Sequence, residues 1–396
     1  MDGIPIDSRP IPLFNDPRLD RSNQGFRMER LLTGLVGAGL VGQAEHAFYL
    51  WEERERFAFV GLADASPSVL AAVGDRYAVK HRSPDLNGLL GLGLDALVIA
   101  APDPFHPDLA VAALEAGLHV LCEKPLALTV AGCDRIAAAR DRAGRVVQVA
   151  YMKRYDPAYR RALGLLPARI EEVRLIAVEV VDPDHEPFVA HLPMTWPADL
   201  PASLREQGRA EAARQLAEAA GGTAPDEAGT RALSGGFLSA LVHDVAVVHG
   251  LLAQLGVALP AAADHGAIFD EGRGVQLGFG LPGGGRVTMS HLNLPGVPEY
   301  RERITIYCAD RIIELTFPSP YLRHLPTRLT VRRPGAAAEG RALETVDHRV
   351  SYEEAFREEL RAFHAAVTGR APVQTTVEQA SADVALLISA YRKAMS

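Results

Sequence analysis

Between residues 31 and 150 short apolar runs alternate with amphipathic stretches, and this alternation constrains the fold more than any other feature of the chain. Runs at 32–36, 57–63, 96–101, 119–122 and 146–150 have the length of buried strands. Helix-period patterns at 43–55, 66–77, 105–116 and 130–143 separate them. A tight turn joins only antiparallel neighbours, so strands spaced by helices predict parallel pairing through crossovers. The expected first unit is an open, doubly wound parallel sheet with helices on both faces.

After about Tyr151 the rhythm changes. Residues 173–178 alternate with a period of two, and Gly283-Gly284-Gly285 and Ala309-Asp310 have the composition of hairpin turns. A helix is expected near 234–255, with two closing helices near 352–368 and 377–394. The fold class is therefore α/β, a parallel doubly wound unit followed by an α+β unit with a large, mostly antiparallel open sheet. At 396 residues the chain exceeds one ordinary core. The expected division is an N-terminal arm at 1–29, a first domain at 30–152 and a second at 153–396. The helices of 352–396 are expected to pack back toward the first domain.

Forty-one Lys and Arg stand against 49 Asp and Glu, a formal net charge of −8, which gives no electrostatic reason to bind nucleic acid. The three cysteines, Cys122, Cys133 and Cys308, show neither a disulfide framework nor metal-ligand spacing, so no metal is expected. No basic segment followed by an apolar one opens the chain, which predicts a cytoplasmic protein without a membrane partner.

Gly37-x-Gly39-x-x-Gly42 follows the first strand and opens the first helix. In that context the first glycine makes a tight turn, the second admits a pyrophosphate to the backbone, and the third lets helix and strand pack closely. Gly37, Ala38, Gly39, Leu40, Val41 and Gly42 are thus candidate dinucleotide contacts. Asp64 ends the second strand about 20 residues further on, where a carboxylate accepts the hydroxyls of the adenosine ribose. It predicts NAD rather than NADP, since a 2′-phosphate would be repelled and no arginine immediately follows. Asp64-Ala65-Ser66-Pro67 is equally a good helix start, with Ser66 able to cap.

Asp95 to Pro102 with His106, and Gly117 to Pro125, form the second motif. Ligands of open parallel sheets bind outside the carboxyl ends of the strands, which is where Glu123-Lys124-Pro125 falls. Lys124 is expected to point into the crevice, although a lysine in a turn is ordinarily a solvated charge.

These residues, with His46 downstream of the glycine loop, the later His243, Tyr151 to Asp156, and Ser234-Gly235-Gly236, resemble the glucose-fructose oxidoreductase, inositol dehydrogenase and rhizopine-catabolism family (Gfo/Idh/MocA). The resemblance covers the first domain closely and the second more loosely. It implies a Rossmann domain and an NAD(P)-dependent dehydrogenase acting on a CH-OH group of a sugar, cyclitol or glycoside, commonly a homodimer or homotetramer. It further implies that Lys124 is the active-site lysine and His243 the general acid/base. Ala101, Pro102, His106, Glu123 and Lys124 would join the glycine loop and Asp64 at the cofactor. Lys124, Lys153, Arg154, Ser239, His243 and Asp244 would meet the substrate.

Alcohol oxidation needs a base for the hydroxyl proton and a cation for the developing alkoxide, which His243 and Lys124 can supply. On residues alone, His243 reads first as a buried structural histidine, and the resemblance reverses that reading. One departure stands out: the family's aspartate one turn before this histidine is Ser239 here, and Asp244 at the next position is expected on another helix face. His185, Glu186, His191, His291 and Asn293 could line the substrate surface, and the Trp196 loop with 183–201 could form part of a lid. Two function classes stay open: the dehydrogenase, and a non-catalytic dinucleotide-binding regulator of the same fold.

Overall fold

The computed structural model describes residues 30–335 and 342–396. The expected arm at 1–29, and most of the Ala/Gly-rich loop around 334–340, lie outside the described residues.

In the first sheet, β1 (Leu31–Val36) leads through a wide turn, Gly42–His46, into helix α1 (Ala47–Glu52) and β2 (Phe57–Ala63). Helix α2 (Pro67–Arg76), β3 (His81–Ser83), the short α3 (Asn87–Leu90) and β4 (Ala96–Ile99) follow. Then come α4 (His106–Glu115), β5 (His119–Glu123), α5 (Val130–Ala143) and β6 (Val147–Ala150). The order is β3-β2-β1-β4-β5-β6, parallel throughout. The order reverses between β1 and β4, which opens a crevice at their carboxyl ends. Local chemistry sets the helix ends: Ser66 caps α2 with Pro67 at its first position, Thr129 caps α5, and left-handed Gly144 stops it.

Helix α6 (Pro157–Leu163) and the long β7 (Val173–Asp182) begin the second unit. A connection bearing α7 (Glu186–Val189) and α8 (Ala202–Ala220) leads to α9 (Glu227–Thr230). A π-type stretch, Arg231–Leu241, then runs straight into α10 (Val242–Gln254). Strands β8 (His265–Phe269), β9 (Gly274–Gly280), β10 (Arg286–Asn293), β11 (Arg301–Cys308), β12 (Ile312–Phe317), β13 (Arg328–Gly335) and β14 (Ala342–His348) complete an eight-stranded sheet. Its order is β14-β13-β12-β11-β7-β10-β9-β8, antiparallel except where β10 runs parallel to β7.

The chain closes with α11 (Ala355–Val367) and α12 (Val377–Met395). Phe356, Leu360 and Phe363 of α11 pack with Leu35, Leu62 and Val98 on one face of the parallel sheet. Thr375, just before α12, bonds the edge strand β6: its hydroxyl donates to the Val149 carbonyl at 2.7 Å, and Val149 N donates to the Thr375 carbonyl at 3.0 Å. Residues 227–254 are apolar nearly all round because they are a core helix, with Leu238, Leu241, Val245 and Val248 fully buried.

Two elements depart from the expectations. Strand β3 is three residues long with His81 and Arg82 exposed, so no apolar alternation marks it. Helix α8 buries only Gln215, Leu216 and Ala219 of its 19 residues, too narrow a stripe to show as a period.

Candidate functional site

A cavity of about 440 Å³ lies where the crevice of the parallel sheet meets the second unit. Leu40 and Val41 of the glycine loop reach it from one side and Lys124, just past β5, from below. Lys153, Asp182 at the end of β7, His291 and Asn293 of β10, and Tyr300 supply the far wall. Ser239, His243 and Asp244 project from the π-to-α helix.

The glycine loop has the close approaches its motif demands. Gly37 adopts φ 87°, and a side chain there would strike the Ala100 carbonyl at 2.5 Å. A Cβ on Gly42 would lie 2.3 Å from the Gly37 carbonyl, whereas one on Gly39 would meet nothing within 4 Å. That opening beside Gly39 is where a pyrophosphate can come up to the backbone, so these residues fit a dinucleotide. Asp64 stands beside the loop: one carboxylate oxygen accepts from Ala38 N at 2.7 Å and the other from Ser66 N at 2.8 Å. Asp64 and Ser66 thus share the helix start rather than competing for it.

Glu123 turns away from the cavity. Its carboxylate meets Nε2 of buried His46 at 2.7 Å and accepts from Lys124 N at 3.1 Å. Burial works to raise the Glu123 carboxyl, but the His46 bond and the Lys124 charge hold it below the ordinary glutamate value. The Lys124–Pro125 peptide is cis. Lys124 does point into the crevice, its ammonium donating to the Ser239 carbonyl at 3.1 Å.

His106, expected at the cofactor, is fully buried, with its ring nitrogens 2.8 Å from the carbonyls of Pro125 and Ala101. Two acceptors require two donors, the imidazolium form. Burial opposes that charge, yet neighbouring Cys122 and the Pro125 carbonyl push the group up to about 10. Both nitrogens being engaged, His106 ties the Ala101-Pro102 loop to the Lys124-Pro125 loop and offers nothing to a ligand.

Lys153 lines the cavity, 2.6 Å from the Glu302 carboxylate with both side chains buried. Burial opposes its charge, but Asp244 and Glu302 hold the ammonium above the ordinary lysine value. Tyr300 donates to the other Glu302 oxygen. Arg154 does not reach the cavity: it turns to the opposite side of its segment, donates to the Ala246 carbonyl at 3.0 Å and lies over the Tyr159 ring. Asp244, expected on another helix face from His243, lines the same cavity, with Lys153 and Glu302 near enough to influence its carboxyl.

Among the described residues several buried polar atoms around this cavity lack a hydrogen-bond partner: His243 Nδ1, both His291 nitrogens and Asp182 Oδ1. Burial first, then Lys124 and Lys153, holds His243 well below the ordinary histidine value, so its ring is neutral. Burial likewise raises Asp244 well above the carboxylate range despite Lys153 nearby. Of the additional candidates, His185, His291 and Asn293 reach the cavity, whereas Glu186 and His191 are not part of its lining. Arg231 and Arg273 at its rim escaped the sequence reading, since surface arginines carry no spacing signal.

A parallel sheet in the order 3-2-1-4-5-6 with a glycine-rich first turn, joined to an open sheet that closes a polar cavity over it, has the form of a dinucleotide-binding fold. Residues 31–151 match the model of GFO_IDH_MocA, "Oxidoreductase family, NAD-binding Rossmann fold". An inositol 2-dehydrogenase of Acidothermus cellulolyticus is 39% identical over 174 residues, 43% of this chain and 47% of that protein. Inositol 2-dehydrogenase 1 of Saccharopolyspora erythraea is 45% identical over 132 residues, 32% of this chain and 38% of that protein. The chain thus spans less than half the length of these curated relatives. The fold matches over nearly its whole length: myo-inositol 2-dehydrogenase from Lactobacillus plantarum superposes with TM-score 0.66 at 18% identity, covering 93% of this chain and 98% of that one.

Proposed function

We propose that this protein is an NAD-dependent dehydrogenase that oxidises a secondary hydroxyl of a sugar, cyclitol or glycoside, or runs the reverse reduction. The observation that carries the reading is convergence: Leu40 and Val41 of the glycine loop, Lys124, and His243 line one cavity, and several buried polar atoms around it are unpaired. Unpaired buried acceptors and donors cost free energy until a ligand pairs them, and a polyhydroxylated ligand brings both kinds of group.

When bound, the nicotinamide supplies the hydride acceptor. His243, neutral at ordinary pH, accepts the hydroxyl proton, a role worth roughly 10²–10⁴ in rate. The Lys124 ammonium, held against the Ser239 carbonyl, has donors left to stabilise the oxygen as charge develops. Lys153, Asp244, His291 and Asn293 orient the remaining hydroxyls. Asp64 beside the Ala38 amide receives the ribose hydroxyls and disfavours a 2′-phosphate, which supports NAD over NADP. A solved relative of the same fold, levoglucosan dehydrogenase in complex with NADH and levoglucosan (TM-score 0.67, 17% identity, 92% of this chain and 98% of that one), is consistent with this class.

The test is a panel of sugars, cyclitols and glycosides incubated with NAD and read for NADH, using the wild type and Lys124→Ala. Turnover lost in Lys124→Ala while NADH still binds supports the reading. NADH binding with no substrate turned over by the wild type would instead favour the non-catalytic regulator.

A further inference from the structure

The segment 183–220, contributed by the second unit, crosses the dinucleotide crevice and is fastened at three places along it. At the glycine loop, Thr195 N donates to Gln43 Oε1 at 3.0 Å, and Gln43 Nε2 donates to the carbonyls of Thr195 at 2.9 Å and Ala38 at 2.7 Å. Beyond β4, Gln215 of α8 donates to the Pro104 carbonyl at 2.9 Å. At the end of β2, the Asp199 carboxylate accepts from the Ser66 hydroxyl, from Ser68 N at 2.8 Å and from the Ser68 hydroxyl at 2.8 Å.

The third fastening is the informative one. Ser66 and Ser68 open the ten-residue helix α2, and Ser66 N is bonded to Asp64, the residue that would hold the adenosine ribose. A helix start that presents two hydroxyls and the Ser68 amide next to a ribose site is a ready receptor for a phosphate on that ribose. Here a carboxylate of the chain itself takes those donors and puts a fixed negative charge there.

Resting on the dinucleotide reading above, we propose that Asp199 is a specificity-determining residue: lodged in the Ser66/Ser68 cradle, it excludes 2′-phosphorylated dinucleotides, and does so from the second unit rather than from the Rossmann domain. Asp64 alone would leave the cradle open to a phosphate reaching past it. With Asp199 in place, a 2′-phosphate finds the donors taken and meets a second like charge. NAD, whose ribose ends in a hydroxyl, needs none of these donors.

The experiment measures NADH and NADPH dissociation constants by nucleotide fluorescence for the full chain and for Asp199→Ser, Asp199→Asn, Asp64→Ser and the exposed control Glu206→Gln. Expected is a tightening of NADPH by roughly tenfold or more in Asp199→Ser. NADH should stay within about threefold of wild type, Asp199→Asn should show a smaller gain, and Glu206→Gln none. NADPH binding no tighter in Asp199→Ser than in wild type, while Asp64→Ser weakens NADH, overturns the role of Asp199 and leaves the dinucleotide reading standing. Failure of the wild type to bind either nucleotide overturns both. Asp199 is exposed and the Asn variant preserves its shape, so a matched thermal transition for that variant confirms folding.

Discussion

Lys124 and Ser239 are joined by a 3.1 Å hydrogen bond from the lysine ammonium to the backbone carbonyl of the serine. The bond is made to main chain, so it fixes the ammonium whatever side chain stands at 239. Ser239 itself also lines the cavity. A carboxylate in its place would sit near Lys124 and His243 without disturbing the bond.

Ser239→Ala is therefore expected to keep kcat/KM within about threefold of wild type, a loss of under ~1 kcal/mol. Ser239→Asp should raise the histidine's proton affinity and move the acid limb of kcat/KM upward, because an opposite charge favours the imidazolium. A pH profile of the two variants on one substrate decides it, and an unmoved limb in Ser239→Asp rules out coupling between 239 and His243.

The depressed proton affinity of His243 has two consequences with the same sign. Its base form is fully present at pH 6.5 and stays so below it, so the wild-type acid limb of kcat/KM should lie below the ordinary histidine value of about 6.5. For stability, the unfolded chain binds the proton first as pH falls. The contribution of the neutral buried ring is complete above about 6.5 and is lost as pH falls from there toward the folded value. Denaturant titrations should show wild type losing stability relative to His243→Gln across that window. An acid limb at or above 6.5 would contradict the assignment of His243 as base.

The 2.7 Å contact between His46 and Glu123 holds the residue just before Lys124 from behind. His46→Phe removes the partner of a fully buried carboxyl, which should cost about 3–5 kcal/mol in urea unfolding, as breaking a buried pair does. Pairing His46→Phe with Glu123→Leu should recover much of that loss, since no buried charge remains. A double variant as unstable as the single one would show that the contact stabilises by shape rather than by charge.

The parallel sheet was legible because its strands are buried on both faces and read as apolar runs. The glycine loop, Asp64 and Lys124 were legible as candidates because motif spacing fixes their place relative to strand ends, whereas His243, on a helix, was marked only by the resemblance. What stayed hidden depends on contacts far apart in sequence. His106 carries its motif position yet serves as a strut between two backbone carbonyls. Arg154 sits next to Lys153 in sequence but turns to Ala246. Asp199 lies in a polar connection with no period, and its meaning comes only from Ser66 and Ser68, over 130 positions away. The parallel β7–β10 pair likewise joins strands that no local pattern links.

Gly39 and Gly42 of the loop can be separated by experiment because their surroundings differ. Gly42→Ala drives a methyl to 2.3 Å from the Gly37 carbonyl, which the backbone cannot accommodate without opening the turn. Its expected outcome is a loss of about 1–3 kcal/mol of stability together with weaker NADH binding. Gly39→Ala adds a methyl that touches nothing in the protein, so its thermal transition should match wild type closely. The methyl would nevertheless stand where the pyrophosphate must approach, and NADH binding should weaken by roughly tenfold or more. Calorimetry and nucleotide titration on the two variants give four numbers from which the roles can be read. Unchanged NADH affinity in Gly39→Ala would mean that the dinucleotide does not pass over this glycine.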